Sequence, residues 1–196
     1  MKISKLIIAN LILIILINIT PMYQMAFTQL DFKEIVGSPQ VIDYSERLTF
    51  NYEMNLLTPS YIKEETLAKA FQNTKMQGLE KYFIQAEKET GINALYLAGL
   101  AVHESGWNTS KFAEKRNNLF GWQAYDNDLD KTKYFNSKGE CILFVASKIK
   151  KLYLTENGMF HSGYTMESIS SRYASDKEHS KKVFKNIEKI LDKINQ

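Results

Sequence analysis

The sequence predicts an α+β fold that is mainly α, in which a helical body and a small β-hairpin lobe flank a substrate cleft. Three observations predict it. From Ser60 onward, apolar residues recur at helical spacing over several segments. One of these, Ala94 to about Glu104, carries Leu95, Leu97, Ala98, Leu100, Ala101 and Val102 and keeps little polar face, which marks a central, buried helix. Between helical patterns, Trp122 to Phe135 reads as two short strands around Asp126-Asn127-Asp128-Leu129-Asp130. A chain of 196 residues, 44% of them hydrophobic, suffices for one packed domain and a short appendage.

The appendage comes first. Lys2 and Lys5 precede the apolar run from Leu6 to Ile17, which continues weakly to Phe27. A positive start and an apolar block describe a signal peptide or signal-anchor over residues 1–27. The short strong core favours a signal peptide, whereas the lack of a clean small-x-small cleavage site favours an uncleaved anchor. Either reading places the rest of the chain outside the cytoplasm, and the anchor reading adds the membrane as a partner. Residues 28–58 read as a connector or arm, interrupted by Pro39, with Thr49 to Met54 alternating like a short strand.

The domain proper spans 59–196. Thr58-Pro59-Ser60 offers cap candidates, and Glu64 and Glu65 suit a first helical turn. A second helix runs from about Gln77 to Glu89, with Leu79, Phe83, Ile84 and Ala86 on one face and Gly91 at its end. Asn93 can cap the buried helix, and Gly106 can take the left-handed position after it. Further helices are expected at about Lys138–Leu154, Met166–Ala174 and Lys177–Asn195.

Several chemistries are excluded. A net charge of +3 is too weak to argue for nucleic acid. The single Cys141 rules out an internal disulfide and a cysteine metal cluster, and its apolar neighbours make it a buried small hydrophobe. His103-Glu104 begins a zinc-protease pattern, but Trp107 stands where its second His belongs. Asp126, Asp128 and Asp130 echo a calcium loop, yet Lys131 and Ser137 replace the Gly and Glu it needs. The expected chemistry therefore uses no metal and no cofactor.

The informative stretch is Ala101-Val102-His103-Glu104-Ser105-Gly106-Trp107, followed by Asn117-Asn118-Leu119-Phe120-Gly121-Trp122. Glu104 closes an apolar helix. An apolar wall and the negative end of the helix dipole both favour its protonated form, as a general acid requires. Trp107, Phe120, Trp122, Tyr125 and Tyr134 could stack on sugar rings, and Asn117 and Asn118 could bond acetamido groups. Each of these rings could equally be core. Glu140 is either a favourable first-turn Glu or a second carboxylate across the cleft.

At these residues the chain resembles glycoside hydrolase family 73, the endo-β-N-acetylglucosaminidases. The resemblance covers about Pro59 to Ile194. It rests on Leu97 to Trp107, Asn117 to Gly121, Tyr134 to Ile142, and Tyr173-Ala174-Ser175-Asp176. It implies a lysozyme-like fold and hydrolysis of the β-1,4 bond after N-acetylglucosamine in peptidoglycan. Glu104 takes the place of the general acid, Glu140 that of a proposed second acid, and Tyr173 that of a Tyr orienting the substrate acetamido group or water. Trp107, Asn118, Phe120, Gly121, Trp122 and Tyr134 would contact the glycan. Two departures stand out: His103 occupies a position that is often small, apolar or Gln, and Lys177 replaces a Pro often found after the Tyr173 motif. The rival readings are a muramidase or lytic transglycosylase of the same fold, and a catalytically silent peptidoglycan-binding envelope protein.

Overall fold

The computed structural model describes residues 47–123 and 132–196. The predicted N-terminal signal or anchor, most of the connector, and the centre of the predicted hairpin at 124–131 lie outside the described residues. Seven helices form among the described residues: α1 Glu64–Phe71, α2 Glu80–Thr90, α3 Ala94–Ser105, α4 Lys111–Arg116, α5 Lys138–Tyr153, α6 Met166–Tyr173 and α7 His179–Ile194. None is long and apolar enough to cross a membrane.

α3 is the axis of the body. From Ala94 to Val102 every residue is buried, so the all-round apolar sequence has a packing partner on each face. The Asn93 side chain accepts from the Leu95 and Tyr96 N–H groups at 3.0 and 3.2 Å. Glu87 of α2 accepts from the Ala94 N–H at 2.7 Å and from the Ser60 N–H at 2.9 Å. Two oxygens thus satisfy donors that a helix start leaves open, and the negative charge suits the helix dipole. Gly106, at φ 57°, ends the helix.

α7 and α2 pack against α3, and α5 packs against α2. Two glycines permit the closest approaches. A Cβ on Gly99 would lie 2.3 Å from Ile187 Cγ1, and one on Gly139 would lie 2.4 Å from the Tyr82 ring. Ile187 is fully buried and branched at Cβ, so it has little room to yield. Gly99→Ala is therefore expected to destabilise the domain by about 1–3 kcal/mol despite its better helix propensity. Denaturant unfolding checks this, and a gain in stability would refute the close-packing account.

Strand expectations fail where they can be compared. Thr49 to Met54 forms no strand. Its aromatic residues pack on α7, with Phe50 and Tyr52 ring centroids 6.3 and 5.4 Å from Phe184. The alternation reflects burial against a helix rather than a ladder. The described flanks of the predicted hairpin, 122–123 and 132–135, also form no strand. There Asn118 does the tying a ladder would otherwise do, bonding the Trp122 N–H, the Trp122 carbonyl and the Lys133 carbonyl. The described body is mainly helical. Sequence periodicity also missed α4, a short helix with one buried residue, Ala113, capped by Ser110.

Candidate active site

Glu104 ends α3 with its side chain 24% exposed. It opens onto a cleft of about 560 Å³ that Phe120, Gly121, Trp122 and Gln123 line together with Tyr153, Tyr173 and His179. α6 carries Tyr173 at its end, and its extended C-cap at Ala174 turns the chain along the cleft through Ser175 and Asp176.

The Glu104 carboxylate has a partner from α7. His179 Nε2 lies 3.0 Å from Glu104 Oε1, and His179 Nδ1 lies 2.9 Å from Ser170 Oγ on α6. The His179 ring is buried. This chain suits a group that must hold and release a proton. With Glu104 ionised, Nε2–H donates to it and Nδ1 accepts from the Ser170 hydroxyl. With Glu104 protonated, its O–H donates to Nε2 and Nδ1–H donates to Ser170. A hydroxyl both donates and accepts, so each state is satisfied without moving a heavy atom.

Burial sets the other ionisable groups. It pushes the Tyr173 hydroxyl well above the usual phenol range, with the Glu104 charge adding to the effect, so Tyr173 stays an O–H donor. Burial lowers the His103 imidazole below its ordinary value, against the pull of Glu104. Burial also raises the Cys141 thiol to about 12, which leaves it inert as a nucleophile.

Residues 80–192 match the glucosaminidase family, described as mannosyl-glycoprotein endo-beta-N-acetylglucosaminidase. This chain belongs to that family, glycoside hydrolase family 73. Two curated Streptococcus pneumoniae relatives, from strains TIGR4 and R6, each named "Putative endo-beta-N-acetylglucosaminidase", are 32% identical over 123 residues. The match takes in 62% of this chain but only 18% and 17% of those relatives. Among solved structures, the chain is similar to S. aureus autolysin E in complex with the muropeptide NAM-L-Ala-D-iGlu. That likeness has TM-score 0.60, 20% identity, and coverage of 76% of this chain and 75% of that one. A catalytic Glu-to-Ala mutant of autolysin E in complex with the disaccharide NAG-NAM aligns with TM-score 0.55 and 20% identity, covering 74% and 75%. At this identity the likeness is one of fold.

Of the residues singled out from the sequence of this glucosaminidase-family chain, Glu104, Tyr173, Phe120, Gly121 and Trp122 line one cleft. Of the others, Tyr125 falls outside the described residues, and Asn117, Trp107, Tyr134, Glu140 and Asn118 are not among the lining residues. Trp107, at φ 60°, packs edge-on against Phe71 with centroids 6.4 Å apart, away from the cleft lining. Tyr134 is 56% exposed and is not among the lining residues. Glu140 is exposed at the start of α5, where its carboxylate accepts from the Asn136 N–H at 2.8 Å in a cap of that helix. Asn118 is fully buried, and its amide bonds the loop that carries the Phe120–Trp122 wall. Asn118→Ala should strand buried backbone groups, costing about 3 kcal/mol, and loosen that wall. Thermal melting and glycan affinity should fall together. A lowered melting temperature with unchanged affinity would separate Asn118 from the cleft.

His179, Ser170, Tyr153 and Gln123 were not singled out. A buried His at the start of an amphipathic helix was the available signal, but its partner is 75 positions away in sequence.

Proposed function

We propose that this chain is a peptidoglycan hydrolase that cleaves the β-1,4 bond between N-acetylglucosamine and N-acetylmuramic acid, with Glu104 as the general acid. The observation that carries this reading is the position of Glu104 at the end of the buried helix. Its carboxyl faces a cleft with an aromatic wall, Phe120 and Trp122, and a proton-exchanging partner in His179. Autolysin E, of similar fold, is described with a muropeptide and with NAG-NAM, which supports a glycan strand of the same kind as substrate.

In this reading the sugar rings lie along Trp122, and Glu104 delivers its proton to the glycosidic oxygen as the bond to the anomeric carbon breaks. Two routes complete the reaction. Glu140 could activate water, which needs carboxyl groups about 6.5–9.5 Å apart across the cleft. Alternatively, the substrate's own acetamido oxygen attacks the anomeric carbon while the Tyr173 O–H steadies it, and water then opens the intermediate. Tyr173 lines the cleft with Glu104, whereas Glu140 caps α5 outside the lining, which favours the second route.

The family's substrate lies outside the cytoplasm. The N-terminal segment would deliver the domain there, as a cleaved signal or as a membrane anchor.

A digest of purified peptidoglycan by the full chain, read by mass spectrometry after borohydride reduction, tests the proposal. Reduced N-acetylglucosamine ends are expected. Reduced or anhydro-muramic ends would transfer the assignment to a muramidase or transglycosylase. No cleavage with retained pelleting on peptidoglycan would make the chain a binding protein.

A further inference from the structure

One feature at the end of α3, beside the cleft, is left unused by acid catalysis. His103 and Glu104 are consecutive at the end of α3, and α7 begins with His179 against them. One nitrogen of each imidazole and one carboxylate oxygen of Glu104 all lie within 4.8 Å of one another. The two rings stand edge to face with centroids 5.1 Å apart. The Glu104–His179 contact explains itself as a hydrogen bond. His103 does not: among the described residues its ring nitrogens have no hydrogen-bond partner, although the ring is half-buried and turned to the same point.

Two imidazoles and one carboxylate with an open fourth position are a donor set suited to zinc. Ligand bonds of about 2.0–2.1 Å in a tetrahedron set neighbouring donor atoms about 3.3 Å apart. The Glu104–His179 edge, at 3.0 Å, is already near that spacing, and the two edges to His103, no longer than 4.8 Å, have to close toward it. An outer contact is also in place, because Ser170 Oγ bonds His179 Nδ1 and so directs Nε2 inward. The sequence pattern failed as a zinc motif because the second His of that motif must lie on the same helix. Here it arrives from α7, which packs on α3.

We propose that His103, Glu104 and His179 form an inhibitory binding site for a zinc-type divalent transition ion. The fourth position is left to water or a substrate oxygen. A carboxylate bound to the ion has no proton to deliver to the glycosidic oxygen, so the loaded protein is silent. The inhibition rests on Glu104 as the general acid; the binding does not. Hard cations that prefer six or more oxygen donors, such as calcium, do not fit this set.

The test is isothermal titration of the metal-stripped full chain with zinc chloride, alongside His103→Ala, His179→Gln and, as a control, His161→Ala. Peptidoglycan turnover is followed over the same zinc range. His103→Ala removes a ring with no hydrogen bond among the described residues, and His179→Gln keeps a bonding group toward Ser170, so both should fold. Circular dichroism checks that they do. One zinc per chain is expected, unaffected by His161→Ala. His103→Ala and His179→Gln should weaken it by more than the roughly 10–100-fold that outer-shell changes cost. Turnover should fall along the wild-type binding curve, recover with EDTA, and ignore calcium. In His103→Ala the fraction of activity lost to zinc should shrink with the lost affinity. Wild-type affinity in both variants would place the ion elsewhere, and an absent isotherm would remove the site. A zinc-saturated chain with unchanged or faster turnover would overturn the inhibitory role. The isotherms decide the site even for a chain that hydrolyses nothing, which would instead fault the hydrolase reading.

Discussion

Glu104→Gln is expected to keep the fold and to lose hydrolysis by about 10³-fold or more, within the range of a lost general acid combined with lost charge stabilisation. Glutamine is nearly the same size and shape. Its amide can still bond His179 Nε2, and Ser170 can still bond Nδ1, so the cleft keeps its partners. What disappears is the carboxyl group that the structure sets in the cleft with Phe120 and Trp122, 3.0 Å from that imidazole. Initial rates of reducing-end release, with melting curves as a control, check this. Unchanged turnover in a folded Glu104→Gln protein would sink the assignment. Loss of turnover with loss of folding would not support it, which is why the glutamine is preferred to alanine.

How far the site was legible in the sequence depends on the range over which each cause acts. α3 was legible because its causes are local: an unbroken apolar run, a side-chain cap at Asn93 and a left-handed Gly106. Glu104 inherited its legibility from that helix. The aromatic residues were harder, since one composition serves two ends. Trp122 lines the cleft while Trp107, in a left-handed turn after Gly106, packs on Phe71, a difference that composition does not encode. Asn118 looked like a sugar ligand because an amide has the right groups. Its burial beside Cys141 and Trp122 spends those groups on the chain itself. The strand at Thr49–Met54 was inferred from an alternation that a helix face can also select. His179 was out of reach for a different reason. It meets Glu104 through the packing of α7 on α3, 75 positions apart in sequence, and no local pattern encodes that meeting.

Tyr173→Phe is expected to cost more than Glu140→Gln, about 10²-fold against less than about tenfold, if the acetamido route operates; removal of one fixed donor to a developing charge sets the larger figure. Phenylalanine keeps the ring contacts of Tyr173, 6.0 Å from Tyr153 and 5.6 Å from His179, so only the hydroxyl is lost. That hydroxyl is a dependable donor. Burial, reinforced by the Glu104 charge, holds its ionisation well above the ordinary phenol range, so it keeps its proton at every pH at which the protein would act. The alkaline limb of the rate profile should therefore be the same in Tyr173→Phe and the parent. A displaced limb would mean that Tyr173 titrates and acts as a base. Glu140→Gln tests the competing route without disturbing α5, because glutamine still accepts from the Asn136 N–H and only the charge changes. Were Glu140→Gln the more damaging of the two, the base would be Glu140, and the first turn of α5 would have to carry its carboxylate across the cleft toward Glu104. Kinetic comparison of the two variants thus distinguishes a group already facing the substrate from one that must move to reach it.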